Sequence, residues 1–159
     1  TINFEQITNP TPGQKAKEPV VIPIALGLLS ASGEELGHTQ IVEMTQTRQS
    51  FTVNNLKSRP VPSLLRGFSA PVILDSPTDR QQRALFLTHD SDPFNKWEAG
   101  RSLTREALMR LASEDKTPDS AYLDGLHAVA TDTSLDPAFR ALLLRLRQLR
   151  IGSRKRRFV

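Results

Sequence analysis

Two hydrophobic rhythms divide this chain. Before Thr78 the apolar residues recur at every second position. Ile2 and Phe4 alternate with Asn3 and Glu5, and Ile22, Ile24, Leu26 and Leu28 fall on one face of a long strand. Ser30 to Gly37, polar and carrying two glycines, reads as a hairpin loop. Ile41 to Met44 and Phe51 to Val53 read as short strands around a polar Thr45 to Gln49 turn, and Val72 to Leu74 as a further strand. Short strands with frequent turn signals predict a β-sandwich of about 80 residues.

After Pro77 the period changes. Thr78 and Asp79 supply capping side chains for a helix running to about Thr88. Asp92-Pro93, Thr117-Pro118 and Asp136-Pro137 each set an acceptor at the N-cap and a proline at the first helical position. The apolar faces that follow are Phe94 and Trp97 with Leu103, Ala107 and Leu111; then Tyr122, Leu126 and Val129; then Phe139, Leu142, Leu143 and Leu146. These i, i+3 and i+4 spacings predict four short helices packing in pairs, as a small bundle or the opening of a helical solenoid.

The two halves meet in Pro60-Val61-Pro62-Ser63-Leu64-Leu65-Arg66-Gly67-Phe68-Ser69-Ala70-Pro71-Val72, too irregular for a helix and too rich in proline for a central strand. It reads as a shaped connection at a sheet edge, with its apolar residues and Arg66 fixing a junction between two units. Eight of the 11 prolines and five of the 8 glycines precede Thr78, so the change in composition coincides with the change in period.

Charge is unevenly placed. The net charge is +4, but seven of the 21 Lys and Arg lie in the last fifteen residues: Arg145, Arg147, Arg150, Arg154, Lys155, Arg156 and Arg157. Residues 1–144 carry 14 bases against 17 acids, a net of −3. The basicity thus belongs to a tail, expected to be disordered over 151–159, and no nucleic-acid binding is expected. No apolar run reaches the roughly 18 residues of a membrane span, and Pro23 interrupts Val20 to Leu29. The absence of cysteine excludes disulfides and thiolate metal sites and fits a reducing compartment. A start at Thr1 reads as an excised or processed piece.

No catalytic constellation emerges. His38, His89 and His127 make no i, i+4 pair and no H-E-x-x-H. His89-Asp90-Ser91-Asp92 has ligand-type residues, but it spans a helix end and the next cap, so capping is the expected role. Gly67-Phe68-Ser69 lacks the last glycine of a nucleophile elbow, and Ser69 reads as a turn serine. There is no Walker loop or dinucleotide glycine pattern. Glu34-Glu35 and Glu114-Asp115 read as solvated loop acids, and Trp97 with Phe94 as core. No catalytic, cofactor-binding or metal-ligating residue is therefore assigned.

Several separate blocks, in order, resemble the bacterial aminopeptidase N family of zinc exopeptidases. They are the Pro60 to Val72 stretch, Leu85-Phe86-Leu87-Thr88-His89-Asp90-Ser91-Asp92-Pro93-Phe94-Asn95-Lys96-Trp97-Glu98-Ala99-Gly100, Asn9-Pro10-Thr11-Pro12-Gly13-Gln14 with Pro19 and Ile22-Pro23, and Gln49-Ser50-Phe51-Thr52-Val53-Asn54-Asn55. The likeness covers about residues 1–144. It implies an α+β architecture: an immunoglobulin-like β-sandwich (1–77), then a partial helical domain (78–150) that begins an armadillo/HEAT-like solenoid. The cysteine pair and core tryptophan of antibody domains are absent.

In that family the zinc-binding H-E-x-x-H helix, its distal glutamate, the G-A-M-E-N motif and the catalytic tyrosine lie upstream of this region, and none has a counterpart here. The resemblance thus implies a non-catalytic, scaffolding piece of a bacterial, cytoplasmic zinc aminopeptidase. Its zinc would sit in the parent catalytic domain, and its partners would be that domain and the remaining helices. Dimerisation through exposed interface surface is a further expectation, and a stand-alone interaction module the alternative. From near Arg145 the sequence departs from the family, which reads as a truncation, a shifted frame or a cloning remnant.

Overall fold

Among the described residues, period-2 patterning resolves into five antiparallel strands and the 3.6-residue pattern into four helices. The computed structural model describes residues 1–14, 16–56, 58–113 and 120–145. The strands are β1 (Ile2–Glu5), β2 (Ile22–Leu29), β3 (Gln40–Met44), β4 (Arg48–Phe51) and β5 (Val61–Ser63). A 3-10 turn, Arg66–Phe68, leads towards α1 (Arg80–His89), α2 (Pro93–Ala112), α3 (Ser120–Thr131) and α4 (Pro137–Leu144). The Thr117-Pro118 cap, Leu146 and the tail beyond Arg145 lie outside the described residues.

The strands form two sheets, β1-β4 and β3-β2-β5. Ile24, Met44, Leu65 and Ala70 make a buried cluster, and Phe4 of the smaller sheet packs against it. Phe4 also meets Phe51 edge to face, with ring centroids 5.8 Å apart. Two side chains stand in for missing ladder partners. The Gln6 amide donates to the carbonyls of Val20 and Gln46 and accepts from Val20 N–H, all at 3.0 Å. Past the end of β5, Ser69 Oγ accepts from Ala25 N–H (2.9 Å) and donates to the Pro23 carbonyl (3.0 Å). Buried backbone groups need such partners, because leaving them bare costs about 1–3 kcal/mol each.

The sequence expectations need three corrections here. The polar turn after β3 is shorter than expected, so β4 spans Arg48–Phe51 and omits Val53, and it pairs with β1 and not with β3. Val72 to Leu74 is not a strand, since it has no neighbour to complete a ladder. Finally, α2 is a long helix of 20 residues, and Leu111 on it is exposed.

Local chemistry sets the helix starts. Asp79 and Gln82 form a reciprocal capping box on α1. Asp92 and Asp136 accept from the N–H groups of Asn95 (2.8 Å) and Phe139 (2.9 Å), each with proline at the first position. The helical core is Leu87, Ala99, Leu103, Tyr122, Val129 and Leu143. Leu87 is its hub: a Cβ added at Gly100 or Gly125 would lie 3.1 or 3.0 Å from a Leu87 methyl, so both glycines admit α2 and α3 close to α1. Leu87→Ala should therefore cost about 2–5 kcal/mol, read as a lower urea midpoint with unchanged slope. A loss under about 0.5 kcal/mol would contradict this packing.

Candidate functional site

Where the β and α halves meet, the chain buries a charge. Leu65, Gly67 and Phe68 all have positive φ (55°, 61° and 54°). This left-handed turn is costly for the two side-chain-bearing residues. It is held by Gly67 N–H donating to Asp92 Oδ2 (2.7 Å) and by the Asn95 amide donating to the Leu64 carbonyl (2.9 Å). The turn directs Arg66 inward, where the residue is only 6% exposed.

The guanidinium lies over β2 at Gly27, whose register partner is Ser63 of β5. A Cβ at Gly27 would fall within the guanidinium itself. Around it, Arg66 Nη2 meets Glu35 Oε1 at 2.7 Å and Asp90 Oδ1 at 3.0 Å. Its Nη1 donates to Glu35 Oε2 (3.2 Å) and Thr39 Oγ1 (3.0 Å), and its Nε to Ser63 Oγ (2.9 Å). Ser63 donates in turn to Asp90 Oδ2 (2.6 Å) and accepts from Asn95 Nδ2 (2.8 Å). Ser91 Oγ donates to Glu35 Oε1 (2.7 Å), so the loop after β2, the end of β5 and the α1–α2 corner all converge on one planar fork.

Asp90 is completely buried. Desolvation, its largest influence, raises its carboxyl above the ordinary 3.8, although bonds from Ser63 and Asp92 N–H and the Arg66 charge pull the other way. For Glu35, burial also pushes upward, but the bonds from Arg66 and Ser91 prevail and its carboxyl lies below the ordinary 4.5. Lys96, buried beside this corner, donates to the Thr88 carbonyl at the end of α1 (2.9 Å), and desolvation lowers its amine below 10.5 despite nearby Asp132 and Asp90.

The junction revises several sequence readings. Asp92 does cap α2, but Asp90 and Ser91 are ligands of the arginine cluster and not only capping residues. Glu35 is not a solvated loop acid, because it pairs with Arg66. The His89 ring lies where a Gly33 Cβ would be, which ties the same loop to α1. Trp97 packs partly buried on the helical core, with Arg101 over its ring at 5.4 Å and Phe94 at 6.1 Å. Glu114-Asp115 lies outside the described residues. Among the described residues no three His, Cys, Asp or Glu side chains gather as a metal site requires.

Two predictions follow from this geometry. Arg66→Ala should cost about 3–5 kcal/mol, since it strands a buried carboxylate. Gly27→Ala should be costly beside Arg66 but mild in an Arg66→Ala background; equal costs in both backgrounds would sink the stacking account. The pH signs differ for the two acids. Asp90, raised, contributes stability that is complete below 3.8 and is lost as pH rises through its folded value. Glu35, lowered, contributes above 4.5 and is lost as pH falls through its folded value. Unfolding free energies measured across pH should therefore show a smaller fall on raising pH above 3.8 for Asp90→Asn and a smaller fall on lowering pH below 4.5 for Glu35→Gln. Slopes identical to wild type would refute both assignments.

Known proteins place the junction in a family. A family model described as a domain of unknown function (DUF3458) with an Ig-like fold matches residues 1–77. A second, DUF3458_C, described as ARM repeats, matches 80–151. Aminopeptidase N of Caulobacter vibrioides is 41% identical over 124 residues, covering 77% of this chain and 14% of its own length. Aminopeptidase N of Escherichia coli is 32% identical over 158 residues, covering 92% and 18%. The crystal structure of Legionella pneumophila aminopeptidase A in complex with aspartic acid superposes with a TM-score of 0.77 at 27% identity, over 91% of this chain and 16% of that one. The chain thus spans under a fifth of the length of these relatives. Matched in sequence and fold across both halves, it belongs to the aminopeptidase N family as that family's Ig-like and ARM-repeat segment.

Proposed function

We propose that this chain is a non-catalytic scaffold of a zinc aminopeptidase. It would hold a helical domain at a fixed angle to an Ig-like sandwich, and so hold that domain in place over the site where free peptide amino termini are processed. The observation that carries this reading is the Arg66 junction, which ties three separate segments with charge-assisted bonds, those to Asp90 fully buried. Bond cleavage belongs, in this reading, to residues outside the chain. Catalytic zinc takes about three protein ligands and an open position, and the described residues gather no such set. The partners are then the catalytic part and the further helices of one polypeptide. A cytoplasmic setting belongs to the same reading and draws support from the lack of cysteine.

A graft tests it. This chain replaces the aligned segment of the Caulobacter aminopeptidase, and release from an aminoacyl anilide is measured. The graft should turn over. Its Arg66→Ala version should lose activity on heating at lower temperature, while the 159-residue chain alone should release nothing with or without zinc. Chelator-sensitive turnover by the chain alone would overturn the proposal. So would a folded graft without activity, which would favour a stand-alone interaction module.

A further inference from the structure

Val72-Ile73-Leu74 has the composition of a strand, with two β-branched residues in an apolar run, yet among the described residues it pairs with nothing. The chain leaves the sandwich core at buried Ala70 and runs to the Asp79 cap with no regular secondary structure. Among the described residues its backbone-to-backbone bonds before the Asp79 cap are Val72 N–H to the Ala70 carbonyl (2.9 Å) and Thr78 N–H to the Ser76 carbonyl (2.7 Å), and the Thr78 carbonyl also accepts from the Arg83 side chain. The backbone groups of Ile73, Leu74 and Asp75 have none. Ile73 is 99% exposed, and Val72 and Leu74 are well exposed beside it.

This segment forms one wall of a groove of about 480 Å³. Phe68, Phe86 and Phe94 line the groove, with Glu98 and Arg101 beside them. Phe68 and Phe94 meet tilted at 55°, with ring centroids 5.2 Å apart, so the lining is largely aromatic. A bare row of backbone donors and acceptors next to apolar walls is the arrangement that takes up an added strand: the main chain supplies the bonds, and alternate side chains fill the groove. Left open, such a segment is an aggregation hazard, which natural folds cover.

We propose that Val72–Leu74 is the receiving strand for an extended, apolar segment of the same aminopeptidase polypeptide, supplied from outside these 159 residues. This rests on the scaffold reading above. What favours that occupant is length: more than four-fifths of each relative lies outside the matched region. A segment tethered on the same polypeptide is presented at about millimolar effective concentration, enough to make weak strand pairing persistent. The pairing would join the sandwich-to-helix connection directly to the rest of the enzyme.

Hydrogen exchange separates this inference from the scaffold reading. In the isolated chain, the amides of Ile73, Leu74 and Asp75 should exchange freely. In the Caulobacter graft they should be slowed by at least about tenfold, and so should the corresponding residues of the natural Caulobacter enzyme, which needs no graft to fold. Ile73→Asp should leave the thermal midpoint of the isolated chain unchanged and lower that of the graft by several degrees. An active graft with free exchange at 73–75, or one indifferent to Ile73→Asp, would overturn the strand-addition proposal and leave the scaffold reading standing. Free exchange in the natural enzyme would also overturn it. Concentration-dependent protection in the isolated chain, with a dimer in sedimentation, would assign the strand to a second copy and likewise overturn it.

Discussion

The structure depends on the burial of one guanidinium. Removing an ion from water costs several kcal/mol even after relaxation, and only close, multiple partners repay it. Arg66 has them: two carboxylates and three hydroxyls around its fork, and a glycine beneath it. Each partner needs something else in place. Glu35 needs the loop that Gly33 lets settle against His89, Asp90 needs the α1–α2 corner, and Ser63 needs β5 to register on β2. The strained turn at Leu65 to Phe68 is sustained for the same end. What looks like a connector is the point at which sheet, loop and helices constrain one another.

The family assignment fits that physics. A sandwich of five short strands and four helices each has a modest core of its own. Joined only by a flexible linker, such units would take up many relative orientations, as small interdomain interfaces generally permit. A desolvated, geometrically specific ion cluster does the opposite, because a small rotation breaks several short bonds together. The relatives' names place this corner in the aminopeptidase N family.

Much of this was legible in sequence where the causes are local. Asp79, Asp92 and Asp136 mark their helices because a cap and its N–H groups lie within three residues of each other. β2 was legible from its period, and Tyr122 and Val129 share a face set by helical geometry. The junction was less so. Arg66 stood out as a charge in an apolar stretch, but its partners lie 31 and 24 residues away, and nothing local separates Glu35 from Glu34 or gives Asp90 a role beyond capping. The pairing of β4 with β1 is equally non-local, fixed by the Phe4–Phe51 contact and the Gln6 bridge. Val72 to Leu74 misled in another way: its propensity is that of a strand, but propensity cannot supply a neighbour.

The distances in sequence across the Arg66 cluster also set an order of events. Ser63 and Arg66 must wait for Asp90 and Asn95, which follow them in the chain, before their buried groups are satisfied. During synthesis, which proceeds at about 5–20 residues per second from the N-terminus, the sandwich is therefore complete in sequence before its last ligands have emerged. Through that interval Arg66 has only Glu35, Thr39 and Ser63 to hold it, and the corner of the molecule is open. The helices thus act as the closing step of the sandwich's own folding, and the first turn of α2 is the earliest point at which the β half can reach its final form.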